Sequence, residues 1–305
     1  MENSFLQSSE WAEFQKSLGR EVLEYEKDGI SAKIIKHDLP FKKNYLYIPH
    51  GPEMDFNQMT GGFKNPVSNF VRWLCEEAKK RKSIFVKIEP VTDSVAQALA
   101  DPSAGRKFKK SKKEMQPSRT VILDINQEDN ELLGKMHHKT RYNIGVADKH
   151  GVTVDKDSDI DSFLKLLKKT AKRDKFAPHS ADYYKKLLNF DGLRTRLYFA
   201  EHNGKLVAAA LILLHGDTGC YLHGASDHEK RSLMAPYALH WHIIKQLRAD
   251  GLRQYDLWGI EPHKWPGVTR FKLGWGGRTI EYPGSFDMAV SKLWYLIYKI
   301  ARRIF

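Results

Sequence analysis

The sequence predicts a mixed α/β (α+β) fold made of two related domains in tandem. Three observations predict it. The stretch TRLYFAEHNGKLVAAALILLHGDTGCYLHGASD reads as three antiparallel strands, joined by an Asn-Gly turn at 203 and 204 and then by a Gly-Asp-Thr-Gly turn. Strand and helix patterns alternate on both sides of it, which is the order of helices layered on a sheet. Between Arg106 and Arg119 seven lysines and arginines stand against one glutamate with no apolar period, so this stretch reads as a solvated connection between two series of elements. At 305 residues, 41% hydrophobic and 29% charged, the chain is long enough for one large domain or two medium ones and has a globular composition.

The first series opens with a helix over residues 8–18, followed by two strand-like runs, EVLEYEK and GISAKIIKH. YLYIPHGP is an extended run closed by a Pro/Gly turn. Asn65 and Pro66 give a cap followed by a proline at the first helical position, and the helical spacing continues to about Lys80. SIFVKIEP reads as a strand and SVAQALA as a short helix. TVILDI starts the second series, which places the domain boundary near residue 119.

In the second series, NELLGKMHHKTRYNIGVADKHG reads as one helical stretch, GVTVDK as a strand and DIDSFLKLLKKTAKRDKF as a helix. SADYYKKLLN is a shorter helix capped by Ser180. After the three antiparallel strands come a helix from Pro236 to about Ala249 and a buried strand, QYDLWGI. Near the end of the series stands TRFKLGWGG. Read with a period of two, Thr269, Phe271, Leu273 and Trp275 share one face of a strand, and Arg270, Lys272 and Gly274 the other. Lys272 is then either a working cation pinned between apolar neighbours or a solvated strand charge.

Strand, two helices, three antiparallel strands, helix, strand is the order of an N-acetyltransferase-type (GNAT) domain, and the first series is a looser version of it. An enzyme of that fold cradles acetyl-CoA with a loop patterned R/Q-x-x-G-x-G/A, whose backbone N–H groups face the pyrophosphate. Here the segment is KRSLMAPYAL: if Arg231 takes the first position, Met234 and Pro236 stand where the glycines would be. Side chains there obstruct a diphosphate and Pro236 has no N–H to offer, so an acyl donor other than acetyl-CoA is expected.

A formal charge of +13 attracts RNA, anionic phosphate compounds or an anionic lipid surface. Cys75 and Cys220 have neither C-x-x-C nor Cys/His spacing, so no disulfide framework, metal site or cofactor is expected and a cytoplasmic setting follows. His137 with His138, and His240 with His242, are spaced wrongly to share a helix face for a metal. MENSFLQSSEWAEF lacks the order of a signal peptide. In SKLWYLIYKIARRIF, Leu293, Ile297, Ile300 and Ile304 form one helical stripe, with Lys292, Lys299, Arg302 and Arg303 elsewhere around the helix. Such a helix either packs on its own domain or rests peripherally on the inner, cytoplasmic face of an anionic membrane.

Across nearly the whole chain, the series SSEWAEFQKSLG, YIPHGP, TVILDI with KTRYNI, TAKRDKFAPHSADYY, YLHGASD, APYAL, YDLWGIEP, TRFKLGWGG and YPGSFD resembles the FemABX family. These are aminoacyl-tRNA-dependent transferases that add amino acids to peptidoglycan bridges. The resemblance implies two GNAT-like domains, residues 1–118 completed by 284–305, and residues 119–283, in the compact form without a coiled-coil arm. It implies transfer of an amino acid from aminoacyl-tRNA to the stem peptide of a UDP-linked or lipid-linked muropeptide, in cell-wall synthesis, by a monomer.

On the same resemblance, Phe271 and Lys272 fall on the pair that places the aminoacyl end of tRNA, and Tyr183 on a substrate-binding tyrosine. His179 stands where a compact member has an arginine. Tyr221 matches one of a pair of tyrosines and His223 replaces the other; Gln15, with Lys16 beside it, stands near a lysine that contacts the precursor. Lys139 and Arg141, with the basic connection, are candidates for the tRNA backbone. Aminolysis of the ester needs no covalent protein intermediate, only positioning and a donor for the oxyanion or the departing ribose oxygen, a role that suits Lys272. The alternative is an N-acyltransferase of the same fold with an acyl-CoA or acyl-carrier donor.

Overall fold

The computed structural model describes residues 4–59, 64–101 and 107–304, the side chains of 303 and 304 excepted. The chain divides into two compact units, Met1–Ser118 with Glu281–Phe305, and Arg119–Ile280.

In the first unit α1 (Ser9–Ser17) precedes β1 (Val22–Lys27), β2 (Ile30–Leu39), β3 (Lys43–Ile48) and β4 (Glu53–Met54); α2 (Lys64–Lys80), β5 (Phe85–Ile88), α3 (Asp93–Ala100) and β6 (Lys109–Lys110) follow. Ser8 caps α1, its hydroxyl accepting from the Trp11 N–H at 3.1 Å. Asn65 and Pro66 lie inside the first turn of α2, which begins at Lys64; a proline is tolerated there because first-turn N–H groups have no helical partner. The basic connection is partly ordered, with Lys109 and Lys110 forming β6, while Arg106 lies outside the described residues.

The second unit contains β7 (Arg119–Asp124), α4 (Asp129–Lys135), α5 (His138–Lys149), β8 (Thr153–Asp157), α6 (Ile160–Asp174), α7 (Ala181–Asn189), β9 (Arg194–His202), β10 (Lys205–His215), β11 (Thr218–Ser226), α8 (Ala235–Ala249), β12 (Gln254–Gly259), α9 (Pro266–Leu273) and β13 (Arg278–Glu281). The chain then returns to the first unit with β14 (Phe286–Ala289) and α10 (Lys292–Ile304).

The sheet of the first unit runs β1-β2-β3-β5-β14-β6, with β4 on β2. β3 and β5 are parallel, and the returning β14 pairs antiparallel with β5. Two buried contacts tie that return in place. Lys87 and Asp287 form an ion pair at 2.8 Å, and the Glu89 carboxylate accepts from the Ser285 and Tyr47 hydroxyls and from the N–H groups of Met115 and Gln116. A buried carboxylate with this many donors is satisfied rather than orphaned.

The second sheet runs β13-β7-β12-β11-β10-β9-β8. Residues Asn203 and Gly204, both at positive φ, make the tight turn between β9 and β10. Alternate residues of β9 and β10, among them Tyr198, Ala200, Ala208, Ala210 and Ile212, join α8 and Trp275 in one core. β11 and β12 are parallel, joined through α8, and pair only over Thr218–Cys220 and Gln254–Asp256. Beyond Cys220 and Asp256 that pairing ends.

Two further sequence expectations are corrected. The helical stretch from 131 breaks after Lys135 into α4 and α5; at the break the N–H of His137 donates to the Gly274 carbonyl at 2.9 Å and its Nδ1 accepts from the Lys139 N–H. TRFKLGWGG is not a strand: Thr269 to Leu273 are the second half of α9. Thr269 and Lys272, three apart, form its buried face, and Phe271 and Lys272 therefore do not point to opposite sides of a sheet.

Candidate active site

The β11–β12 pairing ends at Cys220 and Asp256, short of the carboxyl ends of both strands. α9 brings Lys272 to the end of β12. The side chain is 7% exposed, and its Nζ donates to the Gly259 carbonyl at the end of β12 at 2.8 Å and lies 5.4 Å from the ring centre of Tyr221. Burial lowers its pKa to about 8, and the charge of Asp256 opposes that shift. Partial desolvation of this kind strengthens the attraction of an ammonium for developing negative charge.

The end of β12 is shaped to present that carbonyl. Its register against β7 slips between Asp256 and Gly259, a bulge, and Trp258 inside it has φ 60°. A bulky residue in the left-handed region costs on the order of 1 kcal/mol, and such strain concentrates at functional sites. The buried Asp256 holds the bend, accepting from the Trp258 N–H at 2.7 Å and from the Thr120 hydroxyl. Burial raises the pKa of Asp256, while Thr120, the Trp258 N–H and Lys272 act in the opposite direction.

Aromatic rings close the site around the cation. Phe271 packs against Tyr237 at 5.0 Å, His240 at 5.2 Å and Trp275 at 6.0 Å, which fixes the last turn of α9. His240 stands edge-on to Tyr221 at 4.6 Å, and its Nδ1 shares a 2.8 Å hydrogen bond with the Tyr255 hydroxyl. Burial, helped by the charge of Lys272, lowers the pKa of His240 to about 3, so its imidazole is neutral. Burial pushes the Tyr221 phenol up to about 12. The glycines after Lys272 seat this corner: Gly276 has φ 80°, and a Cβ there would lie 2.3 Å from the Lys135 carbonyl oxygen.

A second bulge separates Tyr221 and His223, which the family resemblance pairs. Against β10, Ile212 faces Tyr221 but Leu211 faces His223, so Leu222 is an extra residue in β11. Neighbours on β10 point to opposite faces, and so do their partners. Tyr221 therefore joins Lys272 and His240, while His223 packs on the other face against Tyr184 at 5.0 Å and His179 at 5.8 Å. His179 stacks on Tyr183 at 4.1 Å. Burial, then the charge of His179, lowers the His223 pKa to about 3. The structure thus forms one cluster of Lys272, Phe271 and Tyr221 and another of His179, Tyr183 and His223.

Of the remaining expected site residues, Gln15, Lys16 and Arg141 have structural partners. Gln15, in the first unit, is buried and bonds the Arg20 guanidinium; Lys16 beside it pairs with Glu13 at 2.7 Å and Glu24 at 3.4 Å on the surface. In α5, Arg141 donates to the Leu133 carbonyl at 3.1 Å and to that of Met136, closing the end of α4, while Lys139 is exposed. Before α8, Met234 sits at φ 52° and Pro236 occupies the first turn of the helix, so the backbone at that end is not a row of free N–H groups. Sequence reasoning missed His240, Asp256, Thr120 and Tyr255, whose only signals were polar groups inside apolar runs such as YDLWG and ALHWHII.

A family model described as "FemAB family" matches residues 1–113, 102–205 and 195–303. The lipid II:glycine glycyltransferases of Staphylococcus epidermidis and Staphylococcus aureus are 24% identical over 384 and 389 aligned positions, covering 98% of this chain and 91% of theirs. Among solved structures, that of FemX superimposes with a TM-score of 0.80 at 22% identity, covering 96% of this chain and 94% of that one. A tandem GNAT protein from the clavulanic acid pathway gives 0.54 at 12% identity over 86% of this chain and 79% of its own. The fold is thus that of FemX and of tandem GNAT proteins, as the order of elements predicts, and with a family match running from residue 1 to 303 the chain belongs to the FemAB family.

Proposed function

We propose that the protein is an aminoacyltransferase of peptidoglycan bridge formation, taking an amino acid from aminoacyl-tRNA and placing it on an amine of the stem peptide of a muropeptide precursor. The observation that carries the reading is Lys272: a nearly buried ammonium, fixed by the Gly259 carbonyl and by the aromatic packing of Phe271, at the end of β12 beyond the point where β11 and β12 stop pairing. In this reaction the stem-peptide amine attacks the ester carbonyl, a carbon–nitrogen bond forms, and the bond to the ribose oxygen breaks. The proton lost by the amine is balanced by the one gained by the ribose hydroxyl. Lys272 stabilises the negative charge on the carbonyl or departing oxygen, a contribution typically worth about 3 kcal/mol.

The glycyltransferase relatives carry lipid II in their names, which supports a lipid-linked acceptor over a UDP-linked one. For the donor, the exposed Lys139 of α5 and its neighbour Tyr142, 71% exposed, offer a phosphate contact and a ring for base stacking, on a chain of net charge +13. His179, Tyr183 and His223 form a polar aromatic wall suited to the sugar or peptide of the acceptor. An acyl-CoA donor is disfavoured by Met234 and Pro236 at the start of α8.

The test is label transfer from a pool of charged tRNAs to lipid-linked or UDP-linked muropeptide. Transfer abolished by RNase is expected. A folded protein that transfers nothing from any charged tRNA, but acylates an amine from an acyl-CoA or acyl-carrier protein, refutes the proposal.

A further inference from the structure

The amphipathic helix α10 is mounted with its apolar side outward. Its inner face is Tyr295 and Tyr298, which pack on Phe85 at 5.3 and 4.8 Å, with the Tyr295 hydroxyl donating to Asp287 at 2.7 Å and Arg302 donating to the Tyr298 hydroxyl at 2.7 Å. Leu293, Leu296, Ile297 and Ile300, spaced as one helical stripe, occupy the opposite face and are 67%, 55%, 43% and 50% exposed. The helix is held to its unit by tyrosines while its aliphatic face stays in water. Four adjacent aliphatic side chains on one helix form an apolar patch of the kind that marks an interaction surface.

The surroundings of the stripe identify the surface it fits. Lys292 and Lys299 lie on one flank. On the other stands Trp294, with the Lys43 Nζ 4.2 Å from its ring centre. Lys43 follows the hairpin tip between β2 and β3, where Phe41 and Lys42 both have positive φ, 60° and 54°. Turns of that kind ordinarily use Gly or Asn; here the strain holds Phe41 out at 85% exposure. Aliphatic stripe, exposed aromatic residues and flanking lysines together are the composition of an interfacial membrane helix. Pairing of this face with a second copy would set its lysines against their own images on a chain already at +13. Among the described residues no helix is long and apolar enough to cross a membrane.

We propose that α10 and the Phe41 hairpin tip form a docking surface for an anionic membrane: the aliphatic stripe and Phe41 enter the boundary between headgroups and acyl chains, and Lys43, Lys292 and Lys299 meet the anionic headgroups. This does not depend on the reaction assigned above.

The test is co-sedimentation of the full chain with vesicles of equal parts phosphatidylglycerol and phosphatidylcholine, and with phosphatidylcholine alone. The wild type binds the anionic vesicles. Leu293→Glu/Ile297→Glu weakens binding by roughly tenfold or more, from the apolar burial lost. Phe41→Ser, at an independent position, weakens it severalfold, and Leu296→Gln/Ile300→Gln repeats the helix result should the first pair unfold α10. Three results overturn the proposal: no binding to anionic vesicles, binding that all the variants retain in full, or a solution dimer that the helix variants dissociate.

Discussion

Gly224→Ala tests the arrangement around Lys272 without touching a charged group. Gly224 has ordinary negative-φ or extended backbone, so alanine is not refused by conformation, but a Cβ there would lie 1.6 Å from the Tyr221 hydroxyl oxygen and 2.5 Å from its Cζ. The ring has to move, losing its edge contact with His240 at 4.6 Å and its place under the Lys272 ammonium. Overpacking of this kind costs about 1 to 3 kcal/mol. Against it stands the gain from replacing a glycine, about 0.4 to 1 kcal/mol through the unfolded chain. The expected net effect is destabilisation by about 1 to 2 kcal/mol. In a Tyr221→Ala background the clash disappears and the same substitution should become neutral or slightly stabilising. The assay is a double-mutant cycle on urea unfolding, with midpoints compared at a common slope. Equal effects of Gly224→Ala in both backgrounds would refute the packing described for Tyr221.

Further outcomes follow from the same geometry. Lys272→Met relieves the desolvation of a buried cation but leaves the Gly259 carbonyl without its donor, so the two effects oppose and the net change at neutral pH should stay within about 2 kcal/mol, read by thermal unfolding. Because burial lowers the folded pKa of Lys272 to about 8 from 10.5, the unfolded chain holds the extra proton between those values, so Lys272 makes stability rise with pH there and the variant loses that rise. Asp256→Asn removes the carboxylate that favours the charged form of Lys272 and should move the alkaline limb of the rate profile to lower pH; an unmoved limb would assign it to another group. Gly276→Ala, at φ 80° with a carbonyl 2.3 Å from the new Cβ, should destabilise by more than about 2 kcal/mol in the same unfolding assay. The His240 imidazole, lowered to about 3, should stay neutral at pH 5 in a nitrogen NMR spectrum.

Most strands and helices were legible because their signals are local. β9 and β10 are continuous apolar runs bounded by the Asn203–Gly204 turn, and Ser180 caps α7 through the Tyr183 N–H. α9 was misread because Phe271, Leu273 and Trp275 imitate a period of two, although Pro266 in its first turn and Gly274 at its end are helix start and stop signals. Lys272 was legible as an exceptional lysine in an apolar run, but its partner, the Gly259 carbonyl, is a backbone group 13 residues away that no sequence pattern marks. The bulges at Leu222 and Trp258 were likewise hidden, since an extra residue in a strand leaves composition unchanged while reversing which face a side chain meets. Gln15 enters as a precursor contact only through the resemblance; in α1 it is buried beside Trp11, Ala12 and Phe14. The outward mounting of α10 was not legible, because an amphipathic pattern specifies an apolar face without saying what covers it.

The most direct measurement is the single-turnover rate of amino-acid transfer from aminoacyl-tRNA to lipid-linked muropeptide, for wild type and Lys272→Met, with both proteins shown to be folded. A fall of about a hundredfold, with acceptor binding little changed, is the predicted result. An unchanged rate would contradict the role assigned to the buried ammonium.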